Sequence, residues 1–268
     1  MTTTLAPYVL FGSTKPFLPP PWTTTDDRVR GGASQSHLSA LPDNSARFHG
    51  HLDTSTLGGA GFASQFSPPQ GARTDKEDGD GGSWDLSGYD GIEVEAGEGD
   101  GRVYTLVLKD EEPAGRRRDG REKAGVSWEV EFGVGEGGAG EEGGKGGGEG
   151  TRVFVPWGEF RATYRGKEME DAGELKEGEV RRVGLMMRSY FGKQEGDFSV
   201  VLRSISARKA TAGDERLNAT DTVGRLRGSM SENRATPGQR PGKEKGAGWL
   251  DWFRSFGFSS YLTIASLH

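Results

Sequence analysis

The chain contains no cysteine, which removes disulfides, zinc-thiolate sites and thiol catalysis together and favours a reducing, intracellular compartment. It also lacks any apolar run of about 18 residues, so no transmembrane helix is expected. Basic residues are in deficit: 40 acids face 34 lysines and arginines, for a formal charge of -6. Nucleic-acid affinity rests on phosphate neutralisation by a basic surface, so this balance argues against that partner. Only 32% of the residues are hydrophobic, and 45 are glycine. Such a composition cannot all be core, because glycine and polar tracts bury too little apolar surface to offset chain entropy. One domain with loose ends is expected.

Residues 1–21 lack the basic start and apolar segment of a signal peptide. The segment is rich in Ser and Thr and free of acids, as organelle transit peptides are. It nevertheless holds one lysine, no arginine and five prolines, which disfavours an amphipathic targeting helix. Tyr8-Val9-Leu10-Phe11 reads as an edge strand on a proline-rich arm.

From residue 22 to 209 the pattern is that of strands. Residues 34–41 and 47–52 show period-two alternation, with Phe48 and Leu52 on one side and His49 and His51 on the other, and predict a pair of antiparallel strands. Residues 58–66 continue the series, and residues 68–82 read as a loop. Residues 92–95 alternate cleanly, and residues 103–108 are apolar on both faces, which predicts a central, doubly covered strand. Val126, Trp128, Val130 and Phe132 alternate with Ser127, Glu129 and Glu131, the pattern of a half-buried strand. Residues 133–150, almost all glycine and glutamate, predict a flexible excursion. Residues 151–156, the region from Val180 to Met187 and residues 196–205 supply the remaining strands, while 161–178 reads as a polar loop. Roughly nine short strands without a long amphipathic helix predict an all-β antiparallel sandwich of jelly-roll type. Residues 210–248, without an aromatic residue, read as a disordered linker.

In the last segment, 249–268, Trp249, Trp252, Phe253 and Phe256 recur at helical spacing and predict an amphipathic tail helix. Such a helix can pack on the sandwich, dock on a partner or lie peripherally on a membrane, although it lacks a basic face for the last role.

Catalytic and ligand motifs find little support. Residues 135–140 satisfy G-x-G-x-x-G, but no helix follows to hold a pyrophosphate, and Lys145 lacks the residues of a phosphate loop. His49 and His51 share a strand face and could ligate a metal, yet spacing indicates no third ligand. No serine sits in G-x-S-x-G. Acidic pairs such as Asp26 with Asp27 or Glu93 with Glu95 are common on solvated faces and make a weak case for glycosidase chemistry. Asn218-Ala219-Thr220 is a glycosylation acceptor pattern inside the predicted linker.

The most unusual stretch is Asp26-Asp27-Arg28-Val29-Arg30-Gly31-Gly32-Ala33-Ser34-Gln35-Ser36. Together with Trp22, Phe48-His49-Gly50, Gly61-Phe62-Ala63-Ser64, residues 85–92, residues 99–104, residues 155–160, Gly166 and residues 196–200, it resembles the complex I intermediate-associated protein 30 (CIA30) family over roughly residues 8–209. The resemblance implies a galactose-binding-like jelly-roll and a non-catalytic assembly role for mitochondrial NADH:ubiquinone oxidoreductase, acting on protein partners such as complex I assembly intermediates without a cofactor. It also implies a mitochondrial location; a paralogue in the cytosol with a scaffolding role would carry the same domain.

Read physically, Arg28 and Arg30 fall on one side of an extended segment and can pair with Asp26 or with acids of a neighbouring strand. Gly31-Gly32 permits a bulge or a left-handed turn. Asp26, Asp27, Arg28, Arg30, Ser34 and Ser36 thus form either a clamp at the sandwich rim or a partner-binding surface. The opposing class is a carbohydrate-binding module, for which Trp84, Trp128 and Trp157 could supply stacking surfaces: two of them exposed on one concave face would favour it, and burial of all three would remove its support in the sequence.

Overall fold

In the computed structural model the described residues are 5–18, 21–70, 82–112, 115–116, 118, 123–135 and 150–214. Two antiparallel sheets face each other. The first runs β3 (Gln35–Ala40), β4 (Ala46–Leu52), β13 (Gly196–Arg208), β6 (Gly91–Ala96) and β9 (Thr151–Pro156), with β1 (Tyr8–Gly12) also on β13. The second runs β11 (Lys167–Glu168), β10 (Arg161–Tyr164), β8 (Ser127–Gly133), β7 (Val103–Lys109), β12 (Arg182–Arg188), β5 (Phe62–Phe66) and β2 (Thr23–Thr24). This is the all-β jelly-roll sandwich that the alternating pattern predicts.

The length of β13 organises the first sheet. Its first half pairs with β4 from Gly196 to Leu202, and its second half pairs with β6 from Leu202 to Arg208. Where β4 ends, the N-terminal strand β1 takes over the vacated edge, Tyr8 opposite Ala207 and Gly12 opposite Ser204. In the second sheet β7 lies between β8 and β12 and is buried along nearly its whole length, as an apolar strand covered on both faces must be.

Alternation sends Phe48, Leu52, Phe198, Val200 and Leu202 inward from the first sheet. They meet Tyr104, Leu106, Leu108 and Phe132 of the second. Phe48 packs against both Phe198 and Tyr104, with ring centroids 5.2 and 6.1 Å apart. The Tyr104 hydroxyl ends this inner row by donating to Asp100 at 2.9 Å. Burial and the Asp100 carboxylate raise that phenol well above its ordinary pKa. Asp100 also accepts the Ser199 backbone N–H at 2.8 Å, tying the 97–102 loop to β13.

Several boundaries differ from the sequence reading. Residues 161–178 are not all loop: β10 and β11 form a hairpin turning through Arg165 and Gly166, both left-handed at φ 55° and 79°. An Arg-Gly pair lacks the Asn-Gly signature by which such turns are recognised. Gly133 belongs to β8 and Val134 is fully buried, so the glycine-rich excursion starts later; residues 136–149 lie outside the described residues. Residues 210–214, read as linker, are anchored. Arg208 donates to both carboxylate oxygens of Asp214, to Glu93 at 2.7 Å, and lies 4.1 Å from the Phe154 ring centre. That pairing holds the Asp214 carboxyl well below the usual carboxylate range, helped by bonds from Thr211.

Candidate functional site

The sequence from Asp26 to Ser36 is not an extended segment. Asp27–Arg30 form one turn of 3-10 helix, closed by Gly31 in the left-handed region at φ 85°. The turn arises because Gly31 and Gly32 return their N–H groups to the carbonyls of Arg28 and Asp27, a reversal that needs a residue free of Cβ strain. Consequently Arg28 and Arg30 part company. Arg28 pairs with Asp26 at 3.0 Å, while Arg30 lies over the Phe62 ring, 5.6 Å from its centre.

The reversal points both carboxylates inward, and Asp26 and Asp27 are 2% and 1% exposed. Asp26 accepts from the Ser36 hydroxyl at 2.8 Å, the Ser36 N–H at 3.2 Å, the Ser64 N–H at 2.9 Å and Arg28. Asp27 accepts from the Ser34 N–H at 3.0 Å, the Ser34 hydroxyl at 2.5 Å and the Phe62 N–H at 3.2 Å. Ser34 and Ser36 stand at β3, on the edge of the first sheet; Ser64 and Phe62 stand on β5 of the second. β2 pairs with β5 only at Phe66 and Gln65, and beyond it the two carboxylates receive the next free β5 donors. Gln65 adds a third stitch, donating to the Ser36 carbonyl at 2.9 Å. The two acids therefore cover two sheet edges at once with charge-assisted bonds, four donors meeting Asp26 and three meeting Asp27.

A second feature is an open depression of about 560 Å3 on the outer face of β3, β4 and β13, lined by Gln35, His37, Arg47, His49, His51 and Asp197 among others. Register makes a grid of it: Gln35, His51 and Asp197 in one row, His37, His49 and Ser199 in the next. His51 Nδ1 lies 2.7 Å from an Asp197 carboxylate oxygen, and His49 Nε2 lies 2.9 Å from the Ser39 hydroxyl. Burial, then the neighbouring His37 and Arg47, lower the His49 pKa. Spacing had offered only His49 and His51. His37 comes beside them through strand pairing, which a linear reading does not show. As the rings stand, no group of three His, Asp or Glu side chains among the described residues converges on a metal position.

The other residues singled out by sequence fall as follows. Trp84 and Trp128 are buried, Trp128 donating to Asp110 at 2.9 Å. Trp157 is half-buried, its indole N–H given to the Tyr89 carbonyl at 2.8 Å. With two of the three buried and the third half-buried, no two of them form an exposed platform on one face. Glu93 and Glu95 are engaged by Arg208 and Arg152. Glu129, expected on a solvated face, is buried and paired with Arg188. Lys145, Asn218 and the tail residues Trp249, Trp252, Phe253 and Phe256 lie outside the described residues. No helix among the described residues is long and apolar enough to cross a membrane.

A family model described as Complex I intermediate-associated protein 30 matches residues 10–202. The chain belongs to the CIA30 family. An uncharacterized protein of Schizosaccharomyces pombe is 36% identical over 211 residues, which cover 74% of this chain and 83% of the relative. Among solved structures, the family 11 carbohydrate-binding module of the cellulase Lic26A-Cel5E of Clostridium thermocellum is similar at a TM-score of 0.47 and 12% identity. The match covers 78% of this chain and 99% of the module. The agarase AgWH50C is similar at a TM-score of 0.41 and 12% identity, over 78% of this chain and 25% of that one. The CIA30 match spans both sheets and takes in the Asp26–Ser36 network and the histidine face.

Proposed function

We propose that this CIA30-family chain is a non-catalytic protein-binding factor that acts on assembly intermediates of mitochondrial respiratory complex I, without a cofactor. The observation that carries the reading is the family match across the whole sandwich, residues 10–202. The side-chain chemistry agrees with it. The acids that invite a catalytic assignment, Asp26 and Asp27, are buried and held by four and three hydrogen-bond donors, so neither is placed to take a proton from a substrate. What the sandwich offers to a partner is broad open sheet surface, of which the depression on β3, β4 and β13 is one part.

Affinity capture of the tagged full chain from isolated mitochondria and from cytosol tests this reading. Recovery of complex I membrane-arm subunits from the mitochondrial fraction is the expected result. A cytosolic chain that brings down none of them would overturn it.

A further inference from the structure

Arginines of this chain commonly take a carboxylate, as Arg28, Arg152, Arg188 and Arg208 do. Arg30, Arg161 and Arg165 have no such partner among the described residues, although acids outnumber bases in the sequence. Each is held by something else. The Arg30 guanidinium lies 5.6 Å from the centre of the Phe62 ring and that of Arg165 5.3 Å from the Tyr164 ring, while Arg161 gives an N–H to the Gly158 carbonyl at 3.1 Å. An aromatic ring steadies a guanidinium and leaves its fork of N–H donors open to an oxyanion.

The three arginines surround one surface, the outer face of the second sheet. Strand pairing sets Arg161, Glu129, Val107, Gly184 and Phe66 in a row across β10, β8, β7, β12 and β5. Val107 points away from the core yet is fully buried, and its outward neighbours Thr105 and Glu129 are 1% and 7% exposed. An outer face so covered is the floor of a groove. The Phe66 ring packs onto Gly184, where a Cβ would stand 2.4 Å from it, and Arg188 crosses β7 to reach Glu129. Arg30 stands on the β5 side of this floor, and Arg165 at the turn of the β10–β11 hairpin on the other. Twist lifts diagonally opposite corners of a sheet toward the same side. Partial burial and then the charge of Arg165 lower the Arg30 pKa, with Asp27 acting against them, so the two guanidiniums feel each other across the groove.

Between Arg161 and Arg165, Thr163 takes the next outward position of β10. The residue is 8% exposed, and its hydroxyl has no hydrogen-bond partner among the described residues. A buried hydroxyl left open beside unpaired cations calls for an acceptor from outside the chain. We propose that Arg30, Arg161 and Arg165 bind a small organic dianion, a phosphate ester or a dicarboxylate, in this groove, with the Thr163 hydroxyl donating to it. Guanidiniums that face each other repel until an anion lies between them. The acids of the floor do not compete, since Glu129 is taken by Arg188 and Glu131 is engaged beside Tyr190. Glu168, opposite Thr163 on β11, is the acid facing this rim, and it is exposed to water. Such a site stands whether or not the chain serves complex I assembly.

Calorimetric titration of the full chain with glucose 6-phosphate and with succinate, beside glucose as the uncharged control, tests the site. One ligand per chain is expected for at least one of the two dianions and none for glucose, and the tighter of the two tells phosphate from carboxylate. Arg30→Gln and Arg165→Gln should each weaken binding at least about ten-fold, and Thr163→Val several-fold. Both arginines are exposed, so unchanged melting of their variants separates ligand loss from unfolding. Arg203→Gln controls for charge alone. Arg203 also lacks a carboxylate partner among the described residues but lies on β13 against Gly97, so its loss should change affinity by less than about two-fold. A chain that binds neither dianion, binds glucose as tightly, or keeps its affinity in Arg30→Gln and Arg165→Gln would overturn the site.

Discussion

Gly32 passes so close to Asp27 that a Cβ there would stand 2.3 Å from the carboxylate oxygen Oδ1 and 2.9 Å from Leu57 Cδ1. The carboxylate cannot yield, because Ser34 and Phe62 hold it from the other side. Gly31 meets nothing within 4 Å but is left-handed. Gly32→Ala should therefore cost about 2–3 kcal/mol through overpacking, and Gly31→Ala about 1 kcal/mol through backbone strain alone. Urea unfolding of the two variants checks the order. At this scale the sequence reading drew Asp26, Asp27, Arg28, Arg30, Ser34 and Ser36 together as a rim clamp or a partner-binding surface. It left Arg28 and Arg30 to pair with Asp26 or with acids of a neighbouring strand, and in the structure Arg28 pairs with Asp26. It could not find the other partners, because the Ser64 and Phe62 amides lie more than thirty residues away and carry no side-chain signal.

β13 is the element to which most of the first sheet is attached, and Arg208 at its end fixes the chain that follows. The guanidinium forks onto Asp214, reaches Glu93 and stacks on Phe154. Arg208→Ala is expected to lose about 2 kcal/mol, since charge-assisted bonds and a stacking partner vanish together. Arg208→Lys should recover less than half of this, because an ammonium can neither fork onto a carboxylate nor stack as a plane. Thermal melting of the two variants gives the comparison. The alternation of β4 and of the first part of β13, and the apolar run of β7, were legible from their residues. The 3-10 turn at Asp27–Arg30 and the β10–β11 hairpin were not, since each depends on a left-handed residue whose effect is conformational rather than a matter of polarity. The polar face of β8 misled for another reason: Glu129 looks solvated until Arg188 is brought across from β12.

For the molecule as a whole, fold class follows from composition and period, whereas the way the two sheets are joined depends on contacts between distant strands. The joint is the Asp26–Asp27 pair, which receives donors from β3 on one side and β5 on the other. Buried at this joint, the two acids present no surface to a protein partner. The most direct measurement is equilibrium urea unfolding of the Asp26→Asn, Asp27→Asn double variant. Each substitution puts an amide donor against groups that already donate, so a stability loss of about 4 kcal/mol or more is predicted, with the unfolding midpoint falling accordingly. A double variant that unfolds at the wild-type midpoint would contradict the account and return Asp26 and Asp27 to the surface as a binding site.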